Sequence, residues 1–95
     1  MKLYFLEKYL GEVVEEGDDF PWKIGLFSPN SNADSFKDFF AYMVSEDVQE
    51  TEPPFSAELL DDESWFLVDD SNQRHKISVP AIHPDNSIWW IWRPF

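Results

Sequence analysis

Cysteine is missing from the chain altogether, so neither a disulfide framework nor thiolate chemistry is open to it. That fits a reducing cytoplasm. Glycine is nearly as scarce: Gly11, Gly17 and Gly25 are the only three in 95 residues. No glycine-rich loop can therefore cradle a phosphate, and no G-x-S-x-G elbow presents a nucleophilic serine. Histidine occurs only at His75 and His83, without H-x-x-x-H or H-E-x-x-H spacing, and two isolated imidazoles are a poor basis for a metal site. Long apolar runs are also lacking. The N-terminal run Leu3, Tyr4, Phe5, Leu6 falls short of the roughly 7–15 apolar residues of a secretory segment. Nothing approaches the ~20 residues of a membrane span. A soluble, cytoplasmic protein is expected.

Positive charge is the last shortage. Seven Lys and Arg stand against 19 Asp and Glu, a net charge of −12. A field of that sign repels phosphates and anionic lipid, so neither nucleic acid nor membrane is expected as a direct ligand. Basic partners are favoured, although acidity also serves simply to keep a small aromatic-rich protein soluble.

What the chain does have is aromatic residues, 18% of its length within a hydrophobic fraction of 43%. Each buried ring removes about 150–250 Å² from water, which lets a short chain assemble a core. A single domain over residues 1–95 is the natural reading at this length. The C-terminal run 87–95, SIWWIWRPF, is the densest apolar segment. As a strand it places Trp90 and Trp92 on one face and Trp89 and Ile91 on the other. Both faces then need cover.

Taken in order, residues 2–16 alternate as extended chain with a break or bulge at Gly11; Leu3, Leu6 and Leu10 also fit a helix, and the strand is preferred. Glu16 to Asp19 signal a turn, followed by a strand from Phe20 in which Trp22, Ile24 and Leu26 share a face. Phe36, Phe39, Phe40 and Met43 follow i, i+3, i+4, i+7 spacing and predict a helix over 33–45, capped by Ser31 or Asn32. Core packing is the expected role of that stripe. Residues 46–63 carry Glu46, Asp47, Glu50, Glu52, Glu58, Asp61, Asp62 and Glu63 with no basic residue. With Pro53 and Pro54 in its middle, this is expected to be a mobile solvated connection with a helical turn at 57–60. A three-stranded meander should follow, with strands at 64–68, 75–81 and the tryptophan run.

The run Gly11-x-Val13, then Asp19-Phe20-Pro21-Trp22-x-x-Gly25-x-Phe27-x-Pro29, then Phe36 and Phe39 or Phe40, resembles a pattern found in small uncharacterised bacterial proteins. That resemblance covers about residues 11–40, implies a hairpin followed by a helix, and carries no assigned activity or catalytic residue. In size, acidity and lack of motifs the chain is also similar to immunity proteins that neutralise bacterial toxins.

Chemistry finds little footing. Asp61-Asp62-Glu63 and Asp69-Asp70-Ser71-Asn72 lack the spacing and the glycine of a calcium loop. Carboxylate pairs are inevitable among 19 acids and indicate nothing by themselves. A Ser-His-Asp arrangement assembled from distant positions stays open. No catalytic, cofactor-binding or metal residue is therefore expected.

The expected fold is α+β: an antiparallel sheet of about five strands with one principal helix on one face. The expected function is non-enzymatic protein–protein interaction, as a homodimer or with a basic protein partner. Trp89, Ile91 and Arg93 on the tryptophan strand, with Phe66 and Val68 on a neighbouring strand, are the candidate contact residues. The alternatives are a nucleic-acid-mimicking inhibitor, or a small enzyme with a carboxylate and histidine site.

Overall fold

The computed structural model describes residues 1–44 and 57–93. The expected helix end at 45, the Pro53–Pro54 stretch and the acidic residues between 46 and 52 lie outside the described residues. Seven strands appear: β1 (Lys2–Phe5), β2 (Lys8–Asp19), β3 (Trp22–Pro29), β4 (Trp65–Val68), β5 (Arg74–Lys76), β6 (Ala81–Ile82) and β7 (Ser87–Trp90). They form one antiparallel sheet in the order β5-β4-β1-β2-β3-β7-β6. A 3-10 helix, Ser31–Phe36, leads directly into α1 (Lys37–Val44). The class is α+β as expected, with more strands than about five.

The sheet curls until its ends meet. Ile77, just past β5, bridges Trp92, just past β7. Backbone bonds from Ser78 N–H to the Ile91 carbonyl and from Arg93 N–H to the Lys76 carbonyl, both 2.9 Å, stitch the same seam. Inside lie Leu3, Leu10, Val13, Phe27, Trp65, Leu67, Ile77, Ile88 and Trp90, covered by Phe36, Phe39 and Phe40. The helix stripe is thus core, as its spacing predicts. Phe39 stacks on Trp65 with centroids 5.9 Å apart and planes 10° from parallel. Trp65 Nε1 donates to the Leu59 carbonyl at 2.9 Å, which ties the turn at 57–60 to the core.

Four local expectations need correction. The chain turns between its first two strands at Leu6–Glu7, where Leu6 takes a φ of 55°, while the bulge expected at Gly11 is present. Gly11 lies inside β2, where the ladder with β1 shifts register. The second turn falls at Phe20–Pro21, because the ladder continues to Asp19 opposite Trp22. The slack at Glu16–Gly17 becomes a bulge in a solvated ribbon, where acidic side chains incur no burial cost. The helix begins at Ser31, capped by Asn30, whose side chain accepts from Asn32 N–H at 2.9 Å. Finally, the expected strand 75–81 is two strands: β5 pairs with β4, and β6 pairs with β7. Pro80, with no N–H to give a ladder, sits between them.

Candidate protein-interaction surface

Side chains directly opposite one another in an antiparallel ladder share a face. On β3, Gly25 and Phe27 are buried while Leu26 is 46% exposed and Trp22 and Ile24 are half-buried. The Trp22, Ile24 and Leu26 face is therefore the outside of the curled sheet. Ile24 lies opposite Trp89 on β7 and Gly17 on β2, and Trp89 opposite Ala81 on β6. A row thus crosses four strands as Ala81, Trp89, Ile24 and Gly17. The next row is Ser87, Leu26 and Val14, and Val14 is 62% exposed. Trp22 meets the edge of Trp89, ring centroids 6.3 Å apart. Phe20, at the tip of the ribbon, is 94% exposed. Half-exposed aromatics beside exposed aliphatics form a surface that gains from being covered.

Two glycines shape this face in opposite ways. A Cβ on Gly25 would sit 2.4 Å from the Val14 carbonyl oxygen, so β2 and β3 approach only because Gly25 has none. Gly17 is the opposite case, with nothing within 4 Å of where a Cβ would stand. It leaves an open gap at the end of the Trp89–Ile24 row.

The ribbon end that this face runs into is acidic on both sides. Glu15, Glu16, Asp18 and Asp19 are all exposed on β2, and the cation nearest them in the ribbon, Lys23, is shared between Glu15 at 3.5 Å and Asp18 at 3.4 Å. Four carboxylates against one ammonium leave this end of the molecule strongly negative.

Of the residues singled out from sequence, Trp89 stands at the centre of this face. Ile91, half-buried two residues on, is held by its N–H to Ser78 Oγ at 3.0 Å. Arg93 is engaged elsewhere, with its guanidinium 3.2 Å from Glu63 and 3.6 Å from Asp62. Phe66 lies under the Arg74 guanidinium, 4.1 Å from its ring centre, and Val68 is buried. The two sets are not on neighbouring strands, since β1, β2 and β3 stand between β4 and β7 in sheet order. Val14, Phe20, Trp22, Ile24 and Leu26 were absent from the sequence-derived set. Their signal is the alternation along β3, whose apolar face reads as core until Gly25 and Phe27 are seen to occupy that role.

Sites for chemistry are sparse. A hollow of about 250 Å³ is lined by Lys37, Phe40, Ala41, Ile82, His83, Pro84 and Asn86, with no carboxylate. A second, open one of about 600 Å³ runs beside Leu6, Glu7, Lys8, Tyr9 and Asn32. Among the described residues no group of three or more His, Asp or Glu converges as a metal site. His75 Nε2 meets Asp69 Oδ2 at 2.8 Å, and its ring stands edge-on to Trp92. That bond, with N–H donors from Gln73 and Ser71, holds the Asp69 carboxyl below its ordinary value. The Lys76 ammonium bonded to Glu63 lowers the Glu63 carboxyl likewise. Each pair ties adjacent turns and strands together.

No known family, no curated protein and no solved structure matches this chain. The Asp19-Phe20-Pro21-Trp22 run thus supplies the tip of a β-ribbon and no family assignment. Among the described residues no helix is long and apolar enough to cross a membrane.

Proposed function

We propose that this protein is a non-enzymatic binding module, acting in the cytoplasm, that takes a basic protein partner on the outer face of β2, β3 and β7. One observation carries the reading: an apolar face left uncovered among the described residues, Val14, Trp22, Ile24, Leu26 and Trp89, runs into a ribbon end that carries four exposed carboxylates on its two sides. The apolar centre supplies affinity and the charged ribbon end supplies steering and choice of sign. Self-association on the same face is disfavoured, because two copies would bring like-charged ribbons together.

Affinity capture from lysate of the source cells tests this, with the parent chain beside Leu26→Glu and Val14→Glu. Both substituted side chains are exposed, so the fold is expected to survive. The reading expects a basic protein retained by the parent, lost with either variant and released by high salt. Retention of the same protein by both variants, or indifference to salt, overturns it. Sedimentation over a wide concentration range should show a monomer; a mass that doubles with concentration would replace the partner by a second copy.

A further inference from the structure

Resting on that reading, we infer that the partner is taken as an added β-strand: an extended basic segment pairs with the free edge of β2 over residues 14–19. β2 is flanked by β1 only as far as Val13. There the Val13 N–H donates to the Met1 carbonyl at 2.7 Å, and the Met1 ammonium donates to the Val13 carbonyl at 2.9 Å. Among the described residues no strand continues on that side, whereas β3 follows β2 to Asp19 on the other. Backbone groups of a strand point alternately to its two edges. Val13 points to the β1 side, and the Val14 carbonyl faces β3, as its closeness to Gly25 shows. The N–H and C=O of Glu15 therefore point away from β3, into the open edge.

The two faces of this edge dictate the sequence of the incoming strand. On the outer face it would run beside Val14 and then the gap at Gly17, which opens toward Ile24. Apolar side chains fit there, and a bulky one can fill the space that Gly17 leaves. On the other face it would run beside Glu15 and Asp18, whose carboxylates share one lysine. Cationic side chains fit there. Side chains alternate along a strand, so the recognised segment alternates Lys or Arg with Val, Ile or Leu. A second copy of β2 fails the condition on the charged face, because it would set Glu15 and Asp18 against carboxylates. The bulge at Glu16 and the four acids guard the edge against copies of itself while leaving it receptive to the opposite charge.

Four synthetic peptides, each of roughly eight residues so as to span the edge, test the inference on the intact protein. One alternates valine with arginine and lysine. The second has the same composition in blocks, the third is the alternating peptide N-methylated at every second residue, and the fourth replaces the cations by glutamate. Tryptophan fluorescence reads binding, and amide hydrogen exchange at Glu15 reads strand addition. Strand addition expects the alternating peptide to bind at least about tenfold more tightly than the other three, with slowed exchange at Glu15. Equal binding of the methylated or block peptide, or unchanged exchange at Glu15, overturns it. If those peptides bind alike while the capture experiment still yields a salt-sensitive basic partner, strand addition fails and the binding module stands. If capture fails but the alternating peptide binds with protection, the edge is competent and the proposed function falls.

Discussion

At the scale of single residues, the three glycines perform different tasks, and their substitution should separate them. Gly11 has a φ of 150°, and a Cβ there would stand 2.2 Å from the Ser28 carbonyl oxygen and 2.9 Å from the Phe27 ring. Gly11→Ala combines backbone strain with overpacking and is expected to cost about 2–4 kcal/mol. In a domain of this size that lowers the thermal midpoint by more than about 10 °C. Gly17→Ala meets no atom and should lie between neutral and about 0.5 kcal/mol stabilising, through a less flexible unfolded chain. Thermal melts of the two variants check both. The two large indoles of the core also differ. Trp65 donates to Leu59, while Trp90 Nε1 is buried without a partner among the described residues. Trp90 is therefore held by packing against Trp92 and the core, and Trp65 by packing plus a bond that also fixes the 57–60 turn.

At the scale of elements, the β4–β5 turn is built on one carboxylate. Asp69 Oδ1 accepts the N–H groups of Ser71 and Gln73, and Oδ2 meets His75. These bonds lower its pKa from 3.8, so the folded chain takes up this proton less readily than the unfolded one. The stabilisation is complete above the ordinary value and fades as pH falls through the depressed one. Asp69→Asn should therefore give a shallower loss of stability on the acid side than the parent shows. Urea midpoints followed downward from about pH 5 will reveal this; parallel curves would mean that the turn contributes nothing to the acid limb.

Elements also show how far the chain could be read in advance. The helix was legible because Phe36, Phe39, Phe40 and Met43 repeat at its period, and nothing else in the chain competes for that stripe. The strand of residues 75–81 was legible as extended chain but not as two strands. Its division depends on Ser78 turning to bond Ile91, a partner distant in sequence. Trp89 was marked out by its alternation with Trp90 as facing the side whose cover stayed undecided. Val14 and Leu26 were not, because alternation defines two faces without saying which one is inside. Only the pairing of Gly25 and Phe27 into the core decides that.

At the scale of the whole molecule, charge works against compactness. A net charge of −12 over 95 residues means mutual repulsion that folding must overcome. Raising the salt from about 0.01 M to about 1 M shortens the screening length from roughly 30 Å to roughly 3 Å. The thermal midpoint should rise across that range even though ion pairs such as Lys76–Glu63 and Arg93–Glu63 weaken. Scanning calorimetry at the two concentrations tests this. A falling midpoint would mean that the ion pairs outweigh the excess of acids.

The seam between the stretches after β5 and β7 is narrower than any full ladder in the sheet. Among the described residues its backbone contacts are one bridge and two 2.9 Å bonds. A curled sheet fastened along so short a line behaves like a latch. While it holds, Ile77 and Trp92 face each other and the backbone on either side of them is bonded across the line. Once it springs, two fresh edges appear, and the carboxylates beside them, Asp62 and Glu63, are already engaged by Val79, Lys76 and Arg93. The strength of that latch sets how readily the molecule sticks to others through the wrong strand.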